Sequence, residues 1–251
     1  MDVRLTPGVK STLVSLRKWG RLDDFVAQVS GVSALAEPAR RTLYLYVVAQ
    51  PEPVSRDQAA AGTGVPRHTA KFHLDKLVEE GLLDTEFRRL SGRRGPGAGR
   101  PSKLYRRSAR EVAVTLPQRH YDLAGRVLAG AVEAAARDGV PVLEAVNRAA
   151  EECGRRLGAA AGHGRAPGAS PLDDVAAALA GHGYEPRVQD DVVVLANCPF
   201  HALARDHTEL VCGMNLHLIT AMLDELGTTD VRAALEPAPQ RCCVTLSSAP
   251  V

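Results

Sequence analysis

The feature that most constrains this chain is a run of structural punctuation between Pro51 and Gly81. Pro51 and Pro53 close a helix that begins near Ala39, with Leu43 and Val47 along one side. Ser55 makes a good N-cap for a short helix from Arg56 to Ala61, which Gly62 and Gly64 end. Pro66 opens the next helix, where a missing backbone N–H loses no intrahelical partner. That helix runs from Arg67 to Glu80 and stops at Gly81. Ala70, Leu74, Leu77 and Val78 recur along it at helical spacing and are expected to face a core.

Two helices joined by a Gly-containing turn, the second bearing cationic and hydrogen-bonding groups near its start, have helix-turn-helix geometry. In such motifs the first residues of the second helix reach base edges and phosphates in the major groove. The expected contacts here are Arg67, His68, Thr69, Lys71 and Phe72. Leu82 to Phe87 and Lys103 to Arg106 then read as a hairpin around a Gly/Pro-rich tip. From Phe87 to Arg110 there are eight Arg, one Lys and no acid. Arg93, Arg94, Arg100 and Lys103 are therefore expected on DNA phosphates, with a strong salt dependence.

The charge balance agrees. Residues 1–110 carry 20 Lys and Arg against 11 Asp and Glu, net +9, whereas residues 111–251 carry 11 against 18, net −7. The overall +2 hides a basic half joined to an acidic one, which suggests one nucleic-acid-binding domain and one of another kind. At 251 residues, two domains are the simplest expectation.

Residues 35–110 resemble the winged helix-turn-helix of the ArsR-type bacterial transcription regulators. The resemblance lies in Leu77-Val78-Glu79-Glu80-Gly81-Leu82-Leu83 and Gly99-Arg100-Pro101-Ser102-Lys103-Leu104-Tyr105. These match the end of the recognition helix and the outgoing wing strand of that family. Residues 1–34 form an N-terminal arm, with a short amphipathic helix expected from Leu22 to Val29.

Beyond the wing, residues 111–165 read as two Ala-rich helices, Gln118–Arg137 and Val140–Ala160, suited to linking or to dimerisation. Their apolar faces are Leu123, Val127 and Val132, and Val142, Val146 and Ala150. Gly162 to Ser170 is a break. Residues 171–251 then read as a small α+β domain: a helix at Leu172–Ala180, a hairpin at Tyr184–Val188 and Val192–Leu195, a helix at Leu210–Leu226, and a hairpin at Val231–Leu235 and Cys242–Leu246. The expected fold class is thus α+β: a winged helix-turn-helix, a helical linker and a cysteine-bearing sensor domain.

Four of the five cysteines lie in this last stretch, with 13 residues between Cys198 and Cys212 and 29 between Cys212 and Cys242, next to Cys243. No apolar run reaches the roughly 18 residues that cross a bilayer, and no signal-peptide core follows the N-terminus. A cytoplasmic location is expected, where grouped cysteines more often mean metal or redox chemistry than disulfides. No close Cys-x-x-Cys pair of the zinc-finger kind is present. Long, uneven spacings suit a cluster pocket better, with Cys198, Cys212 and one of Cys242 and Cys243 as ligands. Cys242 is favoured, because neighbours on one strand face opposite ways. Candidates for the fourth position are Cys243, His201, His207, His217 and Cys153. Cys212, near a helix start, is expected to favour its thiolate form.

Asn197-Cys198-Pro199-Phe200, then Leu210-Val211-Cys212 and a terminal cysteine strand behind such a head, resemble the SufR-type regulators. That resemblance implies a homodimeric repressor of iron–sulfur assembly genes. Its C-terminal cysteines, here Cys198, Cys212, Cys242 and Cys243, would hold an iron–sulfur cluster, 4Fe–4S or 2Fe–2S. The alternative is a sensor of zinc or another metal, or a thiol-redox switch. An enzyme using Cys198 as nucleophile with His201 or His207 as base lacks an orienting group or oxyanion motif at recognisable spacing.

Overall fold

A computed structural model describes residues 20–89, 101–162 and 170–248. The chain divides into two compact units, Met1–Val114 and Thr115–Val251.

In the N-terminal unit α1 (Gly20–Ala34) precedes α2 (Pro38–Ala49). Glu37 caps α2, its carboxylate accepting from the N–H groups of Ala39 and Arg40 at 3.2 and 2.6 Å. Ser55 and Gln58 form a reciprocal capping box at the start of α3 (Arg56–Thr63), and Gly64 closes that helix in the left-handed region at φ 73°. Gly62 lies inside α3 rather than ending it, and the Tyr46 ring packs where a side chain at this position would stand. Then come α4 (Arg67–Glu79) and a hairpin of β2 (Leu83–Arg88) and β3 (Ser102–Arg107), registered from Leu83↔Arg107 to Arg88↔Ser102. The two-residue β1 (Val54–Ser55) pairs with β3, giving a three-stranded antiparallel sheet in the order β1-β3-β2. Leu43, Val47, Ala59, Ala70, Leu74, Leu77, Leu83 and Tyr105 form the core. Within the described residues, α2, α3 and α4 thus carry a two-stranded hairpin at their C-terminal end.

In the C-terminal unit α5 (Tyr121–Asp138), α6 (Val142–Ala161) and α7 (Pro171–Ala180) lead to a four-stranded antiparallel sheet, order β4-β5-β7-β6. Its strands are β4 (Pro186–Gln189), β5 (Val192–Leu195), β6 (Val231–Leu235) and β7 (Val244–Ser248). Between β5 and β6 run the short α8 (His201–Asp206) and the long α9 (Thr208–Glu225). One core joins Val127, Val146 and Cys153 of α5 and α6 to Met214, Leu218 and Met222 of α9 and to Val193, Leu195, Val244 and Leu246 of the sheet. The expected helical region 111–165 and sensor region 171–251 therefore share one core instead of standing as separate bodies.

Packing of α6 on α9 depends on small residues. A Cβ at Gly154 would collide with the Leu218 carbonyl oxygen, and one at Gly158 would crowd Met222 O and Glu225. On α5 the buried face is Ala124, Val127, Ala131 and Ala135, with Val132 exposed. On α6 Val146 and Ala150 are buried but Val142 is exposed. The larger apolar side chains are thus divided between core and surface, and alanines permit the close helix contact.

Candidate nucleic-acid interface and thiol site

The outward face of α4 carries His68, Lys71 and Phe72, all exposed, with Thr69 half-buried. Ala70, Leu74 and Leu77 hold the opposite face in the core, joined by His73, whereas Val78 is only half-buried. His73 was not legible as a core residue. Its Nδ1 accepts from Arg40 Nε at 3.4 Å and its Nε2 faces the Glu37 carboxylate at 3.5 Å, tying α4 to the cap of α2.

Two of the expected DNA-contacting cations are engaged within the fold. The Arg67 guanidinium makes a two-pronged ion pair with Asp57 of α3, while most of both side chains stays exposed. Lys103 donates to Asp75 Oδ1 at 2.6 Å and lies 5.2 Å from the centre of the Tyr105 ring. Tyr105 donates to the same Asp75 oxygen at 2.9 Å. Burial alone would raise the Asp75 carboxyl, but the bonds from Lys103 and Tyr105 outweigh it and hold the group below its ordinary value. Burial, helped by Asp75, pushes the Tyr105 hydroxyl well up, so it stays a donor. Asp75 therefore pins the wing strand to α4. Arg93, Arg94 and Arg100 lie outside the described residues.

The second site is in the C-terminal unit. Cys198 lies in the turn after β5, and Cys212 is the fifth residue of α9. Cys242 and Cys243 lie just before β7, not in it. Gln240, at φ 60°, turns the chain there, so the strand begins only at Val244. Strand alternation therefore does not apply to the two cysteines. Cys198 neighbours Cys242, Cys242 neighbours Cys243, and Cys243 neighbours Cys212, each closely enough to perturb the other's thiol. The fold thus brings four thiols from three segments into one neighbourhood.

The surroundings are closed. Cys242 is 1% exposed, Cys198 and Cys212 each 7%, and Cys243 is half-buried. Asn215 of α9 donates its side-chain N–H to Cys242 Sγ at 3.3 Å, and buried Tyr184 donates to Asn215 Oδ1. The contact with Cys242 and burial together raise the Cys198 thiol far above its usual range, against the pull of the Phe200 N–H and Arg119. Cys198 draws the Cys242 thiol down, but Cys243 and burial prevail and push it up to about 12. Burial also raises Cys212, despite the pull of Cys243, so the benefit expected from a helix start is outweighed. Thiols raised this far are protonated and poor nucleophiles, which is unfavourable chemistry for Cys198 as a catalytic group.

The turn around Cys198 is clamped. Arg119 donates to Asn197 Oδ1 and, at 2.6 Å, to the Cys198 carbonyl. Asn197 donates to the carbonyls of Gln118 and Gly183 at 3.0 and 2.6 Å. The His120 N–H donates to Pro199 O at 3.0 Å, and Ala202 N–H donates to the Tyr121 hydroxyl at 3.3 Å. Residues 118–121 thus grip residues 197–202, a relation invisible at a separation of about 80 residues in sequence.

The other candidate ligands lie elsewhere. His201 and His207 are exposed at the two ends of α8. His217 pairs with Glu151 at 3.0 Å. Cys153 is packed in the core beside Arg156, its thiol raised by burial.

Among the described residues, no three His, Cys, Asp or Glu side chains are arranged to grip one metal ion. A tetrahedral thiolate–zinc site needs every pair of sulfurs about 3.8 Å apart, as follows from Zn–S bonds of about 2.3 Å. Among the described residues the four thiols do not converge on such a tetrahedron.

Residues 35–86 match a protein family described as a helix-turn-helix domain. No curated protein and no solved structure matches the chain. Together with the described hairpin of β2 and β3, the matched segment has the form of a helix-turn-helix followed by a stranded wing. No helix among the described residues is long and apolar enough to cross a membrane.

Proposed function

We propose that the chain is a DNA-binding transcription regulator, a repressor, whose C-terminal thiols hold an iron–sulfur cluster that sets its affinity for DNA. Genes for iron–sulfur assembly are the proposed target, and a homodimer on double-stranded DNA the working form. One observation carries this reading: four neighbouring thiols, three of them buried, in the unit that follows a helix-turn-helix head.

The donor set fits such a group in kind, being all sulfur and largely sealed from water. Cys198, Cys212, Cys242 and Cys243 would hold it as thiolates, giving up their protons on loading. When bound, the group supplies a crosslink that oxidants can break. The chain's own contribution is the Asn215 N–H on Cys242 and the Arg119 clamp on the Cys198 turn, which fix where two ligands stand. Ligating Cys198 therefore bears on the segment that leads out of the DNA-binding unit. That is the proposed route by which loading and DNA affinity are coupled.

The test is an ultraviolet–visible spectrum of protein purified without oxygen, with iron and acid-labile sulfide assayed alongside. A broad absorbance near 400 nm, about where thiolate-to-iron charge transfer falls, is expected, and Cys198→Ser and Cys212→Ser should lose both iron and colour with an unchanged far-ultraviolet circular dichroism. A colourless protein even after reconstitution would overturn the cluster reading.

The contact between thiols favours a second reading, a redox switch. Cys198 with Cys242, and Cys212 with Cys243, are already neighbours. Each pair could close to a disulfide, its two electrons passing to a peroxide or disulfide oxidant and its two thiol protons released. Mass spectrometry after mild peroxide treatment of metal-free protein distinguishes the two readings.

A further inference from the structure

Phe72 is the least expected surface residue of the DNA-binding unit. It lies in the interior of α4, yet 64% of it is exposed. Its only described ring contact is an edge-on approach to neighbouring His73, centroids 5.3 Å apart. At 100° per residue it points away from Ala70, Leu74 and Leu77, so it cannot turn into the core without unseating the helix. Instead it forms part of a shallow recess of about 330 Å³ with His68, Lys71, Asp75, Lys76 and Glu79.

The charges around the ring indicate which partner it meets. The two carboxylates on this face are matched within the fold, Asp75 by Lys103 and Glu79 by Lys76. His68 and Lys71 stand beside the ring on the same exposed stripe, whereas Arg67, at the start of the helix, is paired with Asp57. An apolar ring beside an exposed ammonium suits a ligand with an anionic backbone and an apolar group at its centre. Duplex DNA offers that combination in the major groove, where thymine alone of the four bases presents a methyl group.

We propose that Phe72 reads sequence: when α4 enters the major groove, its ring packs on the C5-methyl of a thymine. The selectivity has two physical sources. Burying the methyl against the ring removes apolar surface from water. A phenyl ring also cannot satisfy the N7 and O6 acceptors of guanine or the N4 amino group of cytosine, so those bases would lose their water partners without replacement. Lys71 and His68 contribute phosphate or base-edge contacts alongside and do not supply this discrimination. The proposal rests on reading α4 as the DNA-contacting helix.

The test uses the full chain and duplexes selected by it from a random-sequence pool. Each thymine of a selected duplex is replaced in turn by deoxyuridine, which pairs identically but lacks the methyl. Wild type should lose affinity about fourfold at the position under Phe72, the size expected for one buried methyl. Phe72→Ala should bind both duplexes equally there, whereas Phe72→Leu, still apolar, should keep part of the difference. Equal affinity of wild type for thymine and uracil at every position would overturn the proposal. So would a Phe72→Ala variant that keeps the full discrimination. If Phe72→Ala leaves discrimination intact but changes the molar mass by light scattering, the ring belongs to a protein contact instead. A wild-type chain that selects no duplex at all would overturn the DNA-binding reading itself, and the uridine series separates that failure from failure of the Phe72 assignment.

Discussion

Asp75 accepts from Lys103 and Tyr105 at once, and its carboxyl is held below the ordinary value even though burial opposes this. A carboxylate depressed in the folded state contributes its full stabilisation above the unfolded value of about 3.9, and that contribution fades as pH drops from there towards the folded value. Urea midpoints of wild type should therefore fall more steeply than those of Asp75→Asn once pH passes below about 4. Parallel curves would mean that the link between α4 and the wing contributes nothing. Lys71 tests a different property. Exposed on the outer face of α4, it has a charge available to phosphate. Lys71→Ala should weaken binding to all duplexes alike and reduce the slope of log affinity against log salt by about 1. An unchanged slope would remove Lys71 from the interface.

Elements whose ends are set by neighbouring residues were legible in the sequence, and those set by distant packing were not. Ser55 with Gln58, Gly64 and Pro66 fix the ends of α3 and α4 through bonds spanning three or four residues, so the helix-turn-helix could be read directly. The buried face of α5 was legible only in part. Its pattern suggested Leu123, Val127 and Val132; Val127 is buried and Leu123 packs at the core's edge, but Val132 is exposed, and Ala124, Ala131 and Ala135 complete the buried face. Likewise the strand expected at Cys242 starts at Val244, because the turn at Gln240 takes both cysteines out of the ladder. The spacing of the thiols marked them as a group, but their order of contact depends on three segments meeting, which one-dimensional pattern does not carry. The α6–α9 contact can be tested through its glycines. Gly154→Ala places a methyl against the Leu218 carbonyl oxygen, a rigid backbone atom, and should destabilise the C-terminal unit by about 1–3 kcal/mol. Thermal melting monitored in that unit checks it, and an unshifted midpoint would mean that α6 can move aside freely.

For the molecule as a whole, the division at 114/115 matters more than the expected one near 165. The helices α5 and α6 complete the core around the thiols, so truncations that begin at residue 171 would strip away eight of its 27 buried residues. The connector is also short. Thr115 lies three residues before Gln118, whose carbonyl already accepts from Asn197, and Thr115 Oγ1 itself accepts from the Arg119 N–H at 2.9 Å. Under the proposed function, these few residues are the covalent path by which the state of the thiols would reach the N-terminal unit. Slack should disable it without harming either end. A Gly-Ser-Gly-Ser insertion after Val114 is expected to leave iron content and the DNA affinity of metal-free protein unchanged, while abolishing the difference in DNA affinity between loaded and metal-free forms. If that difference survives the insertion, information passes between the units by some path other than the covalent chain.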